Sequence, residues 1–171
     1  MKIIYTLFLL LVAVVANGQN PYLTLDYDSL VIYDYGDGFE TEGNIGKTGD
    51  VYYLKKAPAK KAKLTASEAN VFSHKIGDKS SYGSVAAACF NPHFAALYYK
   101  NGKAIANIEI CVGCNIAESS LKLTAQDQLP QKADDGTIYY AGYGMSKEFR
   151  KYLKELIHKY KFSHEPVYNL D

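Results

Sequence analysis

The chain has 171 residues, with 19 basic and 18 acidic groups, 48% hydrophobic residues and three cysteines. Near-neutral charge gives it no overall electrostatic reason to seek nucleic acid or a membrane surface. Its length suits one domain able to bury a core without staples.

The first element is expected to lie outside the fold. Lys2 precedes an apolar run from Ile3 to Val15, and small residues Ala16 and Gly18 stand before Gln19. That three-part layout predicts a cleavable secretory signal over residues 1–18. The run is shorter than the roughly 20 apolar residues of a membrane span, and no later segment approaches that length. Residues 19–171 are therefore expected to form one domain outside the cytoplasm, secreted or periplasmic, with no transmembrane segment.

Asp26, Asp28, Asp34, Asp37, Glu40, Glu42 and Asp50 face only Lys47 within residues 19–50, and the remainder carries the matching basic excess. The two segments are expected to lie side by side and neutralise each other. The acids lack the fixed spacing and terminal Glu of a calcium-binding EF-hand loop. Sixteen tyrosines and no tryptophan suit half-buried strands with one wet edge.

In chain order, Ser29-Leu30-Val31-Ile32-Tyr33 reads as a strand ended by Gly36-Asp37-Gly38, and a polar loop punctuated by Gly43, Gly46 and Gly49 leads to a short strand at Val51–Leu54. Lys55, Lys56, Lys60, Lys61 and Lys63 surround Pro58 in what reads as a solvated connector. Thr65 and Glu68 form a capping box for a helix running to about Ile76, with Leu64 stapled to Ala69. Val85 to Phe90 reads as a weak strand. Phe94 to Tyr99 and Ala104 to Cys111 flank Asn101-Gly102, the strongest local signal for a hairpin. Residues 115–135 read as an irregular excursion, and Gly136 to Tyr143 as a further strand. Ser146 caps a last helix whose stripe is Phe149, Leu153, Leu156, Ile157 and Tyr160, with Lys147, Arg150, Lys151, Lys154 and Lys161 on the remainder. The expected class is α+β, a mainly antiparallel sheet of four to six strands with two helices on one face.

Cys89, His93, Cys111 and Cys114 are the only grouping with chemical character, and the hairpin brings them together. A two-residue loop at Asn101-Gly102 places Leu97 opposite Ala106, His93 opposite Ile110 and Cys89 opposite Cys114. Opposed side chains sit about 4.5–5.5 Å apart, and disulfides persist outside the cytoplasm, so Cys89–Cys114 is the leading pair and Cys111 the remaining thiol. Pro92 is the weak point, because a bulge there shifts the register by one. Zinc on Cys89, His93, Cys111 and Cys114 is the alternative, although an extended strand holds Cys89 and His93 about 13 Å apart. A third reading is thiol redox chemistry at Cys111-Val112-Gly113-Cys114, which lacks the helix that follows such a motif in thioredoxin-like enzymes. No Ser, His and acid set and no glycine-rich phosphate loop can be recognised, so no catalytic or cofactor-binding residue is assigned.

The run Ala88-Cys89-Phe90-Asn91-Pro92-His93, with Tyr98-Tyr99 before the turn and Ile110-Cys111-Val112-Gly113-Cys114-Asn115 after it, resembles a group of exported bacterial proteins of no established activity. These share a Cys-Phe-x-Pro segment, a hairpin and a Cys-x-x-Cys motif. The resemblance covers residues 64–115, with a softer similarity from Gly144 to Phe162. It implies that hairpin and cysteines form one unit and implies no ligand. The function expected is that of a non-catalytic binding or envelope-associated module, with the thiol or zinc site as the alternative.

Overall fold

A computed structural model of the chain describes residues 20–36, 43–140 and 142–163. The expected signal segment, residues 1–18, lies outside them. Among the described residues, no helix is long and apolar enough to cross a membrane.

The α+β expectation is borne out. The main sheet has seven strands, β1 (Ser29–Asp34), β2 (Ile45–Thr48), β3 (Val51–Leu54), β4 (Lys60–Lys63), β6 (Phe94–Lys100), β7 (Lys103–Cys111) and β8 (Ile116–Ser119). Its order is β2-β3-β7-β6-β1-β4, β8 adds to β7, and every pairing is antiparallel. Two small sheets join β5 (Tyr82–Gly83) to β11 (Gly142–Met145), and β9 (Pro130–Lys132) to β10 (Ile138–Tyr140).

The sheet exceeds the expected four to six strands because backbone pairing recruits segments with little apolar content. Lys60–Lys63, read as a connector, is an edge strand on β1, with Asp34 opposite Lys60. Lysines on an edge keep its unpaired backbone in water and discourage further strand addition. Ile45–Thr48, read as loop, pairs with β3 across a Gly49-Asp50 turn. Part of the acidic segment thus lies against basic chain, and Lys100 reaches Asp26 at 2.8 Å and Asp28 at 3.1 Å. Conversely, residues 85–93 are irregular, so the strand expected at Val85 to Phe90 does not form.

The helices α1 (Ala66–Gly77) and α2 (Lys147–Lys159) pack on one face of the sheet. Phe72 and Ile76 from α1, and Phe149, Leu153 and Ile157 from α2, meet Leu30, Ile32, Ala96, Tyr98, Ile108 and Ile110 in one core. Arg150, expected in solvent, is buried instead, with Nη1 donating to the Met145 carbonyl at 2.7 Å. Several tyrosines do more than fill a half-buried strand. The Tyr98 hydroxyl meets Ser73 Oγ at 2.9 Å, Tyr82 donates to the Ile76 carbonyl at 2.8 Å, and Tyr22 donates to the Asn107 carbonyl at 2.9 Å. These three phenols have partners, as a buried polar group requires, whereas the buried Tyr35 hydroxyl has none among the described residues; burial pushes the Tyr22 hydroxyl up to about 12.

Thr65 caps α1 as expected, and the box extends to the second helix. Glu68 accepts from the Thr65 backbone at 2.9 Å, from Tyr160 Oη at 2.9 Å, and pairs with Lys159 at 2.7 Å. Lys159 foremost, then Thr65, lowers this carboxyl from 4.5 to about 2. A depressed carboxyl stabilises the fold above its unfolded value and loses that contribution as pH falls through the folded one. Glu68→Gln is expected to cost about 1–2 kcal/mol at pH 7 in urea melts. The difference should shrink as pH falls from 4.5 toward about 2; a pH-independent difference would remove Glu68 ionisation from the account.

Candidate functional site: the three-cysteine turn

The site is built where β7 ends. Cys111 pairs with Ile116, which closes a second hairpin around Val112, Gly113, Cys114 and Asn115. Asn115 takes φ of 60°, a left-handed turn position that Asn tolerates better than most residues, and its N–H donates to the Val112 carbonyl at 3.2 Å. Within this turn the Cys114 N–H donates to Cys111 Sγ at 3.1 Å.

The irregular segment is tied to the turn by backbone and amide groups. Ser84 and Gly144 exchange hydrogen bonds of 3.1 and 2.9 Å, Asn115 Nδ2 donates to the Val85 carbonyl at 2.7 Å, and Ala87 N–H donates to the Cys114 carbonyl at 2.9 Å. These bonds bring Cys89 to Cys114 with Cα atoms 5.8 Å apart and the sulfurs within bonding reach, as a disulfide requires. Cys89 is exposed, while Cys111 and Cys114 are buried with Ile116 in a small cluster against Ala86, Ala87 and Phe90.

The route to this meeting differs from the expected one. Lys100 faces Lys103 and Tyr99 faces Ala104 as the turn dictates, but Tyr98 then faces Ala106. Ile105 is a bulge residue, and from there the register is shifted by one, so Phe94 rather than His93 opposes Ile110 and Asn107 rather than Ala106 opposes Leu97. The β6–β7 ladder stops at that Phe94–Ile110 pair. Cys89 reaches Cys114 through the irregular segment, not along an extended strand.

His93 is drawn elsewhere. Its Nδ1 donates to the Gly36 carbonyl at 2.8 Å, its Nε2 lies 3.4 Å from Asn91 Nδ2, and its backbone carbonyl accepts from Tyr35 at 2.9 Å. The set Cys89, His93, Cys111 and Cys114 is not gathered round one point, and among the described residues no three His, Cys, Asp or Glu side chains are grouped to hold a metal. Cys111 and Cys114 share a hydrogen bond, whereas the sulfur next to Cys114 is that of Cys89. Cys111 is the free thiol.

One polar feature escaped the sequence reading. β7 shares its outer edge between β3, at Tyr52–Ala104, and β8, from Ile108 to Cys111. A hollow of about 230 Å³ opens there, lined by Lys47, Tyr52, Asn107, Glu109, Glu118 and Ser119 among others. Glu109 is buried and accepts from the Asn44 N–H at 2.6 Å. Burial raises its carboxyl, Glu118 opposite it adds to the rise, and the Asn44 N–H opposes it. The available signal was a lone acid in the apolar run from Ala104 to Cys111.

Gly144 permits the whole approach. A Cβ there would stand 2.7 Å from the Val85 carbonyl oxygen and 2.8 Å from that of Ser84, both backbone atoms. Gly144→Ala should therefore lift the irregular segment off the turn and cost about 2 kcal/mol. Urea melts check this, and an unchanged midpoint would show that the contact carries no weight.

Comparison with protein-family models, curated proteins and solved structures finds no match to this chain.

Proposed function

We propose that the chain is an exported, non-catalytic binding or envelope-associated module whose central hairpin is held to its flanking segment by a Cys89–Cys114 disulfide. The observation that carries this reading is the placement of those two sulfurs, with Cα atoms 5.8 Å apart at a sequence separation of 25. In an oxidising compartment such a pair closes and persists. Closing a loop of that length stabilises a fold by about 3 kcal/mol in the chain-entropy account. The sulfurs then serve as a fastening for residues 84–93, a segment with no strand ladder of its own. Export rests on the layout of Lys2, Ile3 to Val15, Ala16 and Gly18. Near-neutral charge supports a partner other than nucleic acid.

The thiol or zinc alternative requires Cys114 to work with Cys111, and Cys89 competes for it. Expression of the full chain in a bacterium with an export pathway tests the choice. The expected product begins at Gln19, contains one disulfide and one thiol by intact mass with and without reductant, binds no stoichiometric zinc, and does not catalyse reduction of a protein disulfide. A retained leader with three thiols, a bound zinc or catalytic turnover would each overturn the proposal.

A further inference from the structure

We infer that Cys89 is a site of covalent attachment for a disulfide-bearing partner, unmasked when Cys111 takes over Cys114. This deepens the exported-module reading and rests on its Cys89–Cys114 bond. Cys111 and Cys114 are buried in one small cluster that stands apart from the main core, and the exposed Cys89 reaches Cys114 from outside it. Cys111 is a buried thiol within the same turn as Cys114, and the Cys114 N–H already points at its sulfur at 3.1 Å. That hydrogen bond holds the Cys111 sulfur against the backbone of the residue whose sulfur it would attack. Cys89 lies at the other end of the bond, exposed and on an irregular segment, which makes it the sulfur free to depart.

The exchange balances within the chain. Cys111 gives its proton to water and its thiolate attacks Cys114 Sγ. The Cys111–Cys114 bond forms as the Cys89–Cys114 bond breaks, and the electron pair leaves on Cys89, which takes up a proton. One disulfide and one thiol are present before and after, so no oxidant is consumed. What changes is location, because the thiol moves from a buried position to the surface. The Cys89 thiolate can then attack an accessible disulfide R–S–S–R, forming Cys89–S–S–R and releasing RSH. The product is a stoichiometric tether, not a turnover cycle. Cys89 can leave without opening the main core, since the segment keeps its anchors at Ser84, Val85 and Ala87 on one side and at Pro92 and His93 on the other.

The test uses the exported full chain, oxidised and without reductant, first mapped in acid, where exchange is halted and the bond is expected at Cys89–Cys114, and then held at pH 8; a Cys111–Cys114 bond already present in acid would overturn the disulfide reading and the inference together. N-ethylmaleimide is added under native conditions and the sites are mapped on unreduced peptides; a parallel sample receives oxidised glutathione. The expected result is one alkyl group or one glutathione on Cys89, with Cys111 joined to Cys114. Cys111→Ser should slow labelling of Cys89 by about tenfold or more. Label on Cys111 with Cys89–Cys114 intact, or no label before denaturant is added, would overturn the inference while leaving the disulfide reading in place. A starting chain with three thiols would overturn that reading and the inference together. The wild-type mapping stands without the variant should Cys111→Ser fail to fold.

Discussion

Between Lys103 and Ile110, strand β7 carries one residue more than the stretch of β6 it pairs with, and which side chains face the helices follows from that surplus. The Asn101-Gly102 turn, with φ of 49° and 74°, starts the hairpin in the tight register. Ile105 then breaks it, so that Ile105 and Ala106 both contribute to the helix-side core, and Ile108 and Ile110 follow on that face. Alternation sends Asn107, Glu109 and Cys111 to the other face. Without the bulge the two sets would be exchanged, with Asn107 and Glu109 opposite Ala96 and Phe94 under the helices and the isoleucines facing the second side. The positions of the buried carboxylate and of the free thiol are thus consequences of one local insertion.

Features written in local chemistry were legible in the sequence. The Asn-Gly turn, the Thr65–Glu68 capping box and the apolar stripe of α2 each act within a few residues, and each stands in the structure where its spacing places it. Features that depend on long-range pairing were not. Nothing in Ala104-Ile105-Ala106 marks a bulge, because small and β-branched residues fit either register. Lys60–Lys63 has no apolar pattern, and only the free edge of β1 makes it a strand. Val85 to Phe90 has a strand-like composition, yet the bonds to Gly144, Asn115 and Cys114 draw its backbone away from a ladder. Arg150 looked like solvent-facing helix surface until the carbonyl of Met145 met it.

The cysteines fall between these cases. Their residue types and the hairpin between them pointed to Cys89 and Cys114 as neighbours, and the structure places them together. The expected cause, direct opposition across one ladder, is absent, and the bulge alone would have misaligned them. Asn115 supplies the missing cause, with a left-handed backbone that turns β7 into β8 and an amide that holds Val85. The exposed Cys89 set against the buried Cys114 and Cys111, where the hairpin meets an irregular segment, is the feature from which the functional proposal grows. It couples a surface position to a buried thiol through a single turn.

The central claim is that the Cys89–Cys114 bond fastens residues 84–93 to the turn at 112–115 and does not support the main sheet. Hydrogen exchange by mass spectrometry on the oxidised and the reduced chain tests it most directly. The account predicts that reduction exposes amides in 84–93 and 112–116 while the amides of β6 and β7 keep their protection through Ile110. Unchanged exchange in the segment, or loss of protection spread evenly over the sheet, would contradict it.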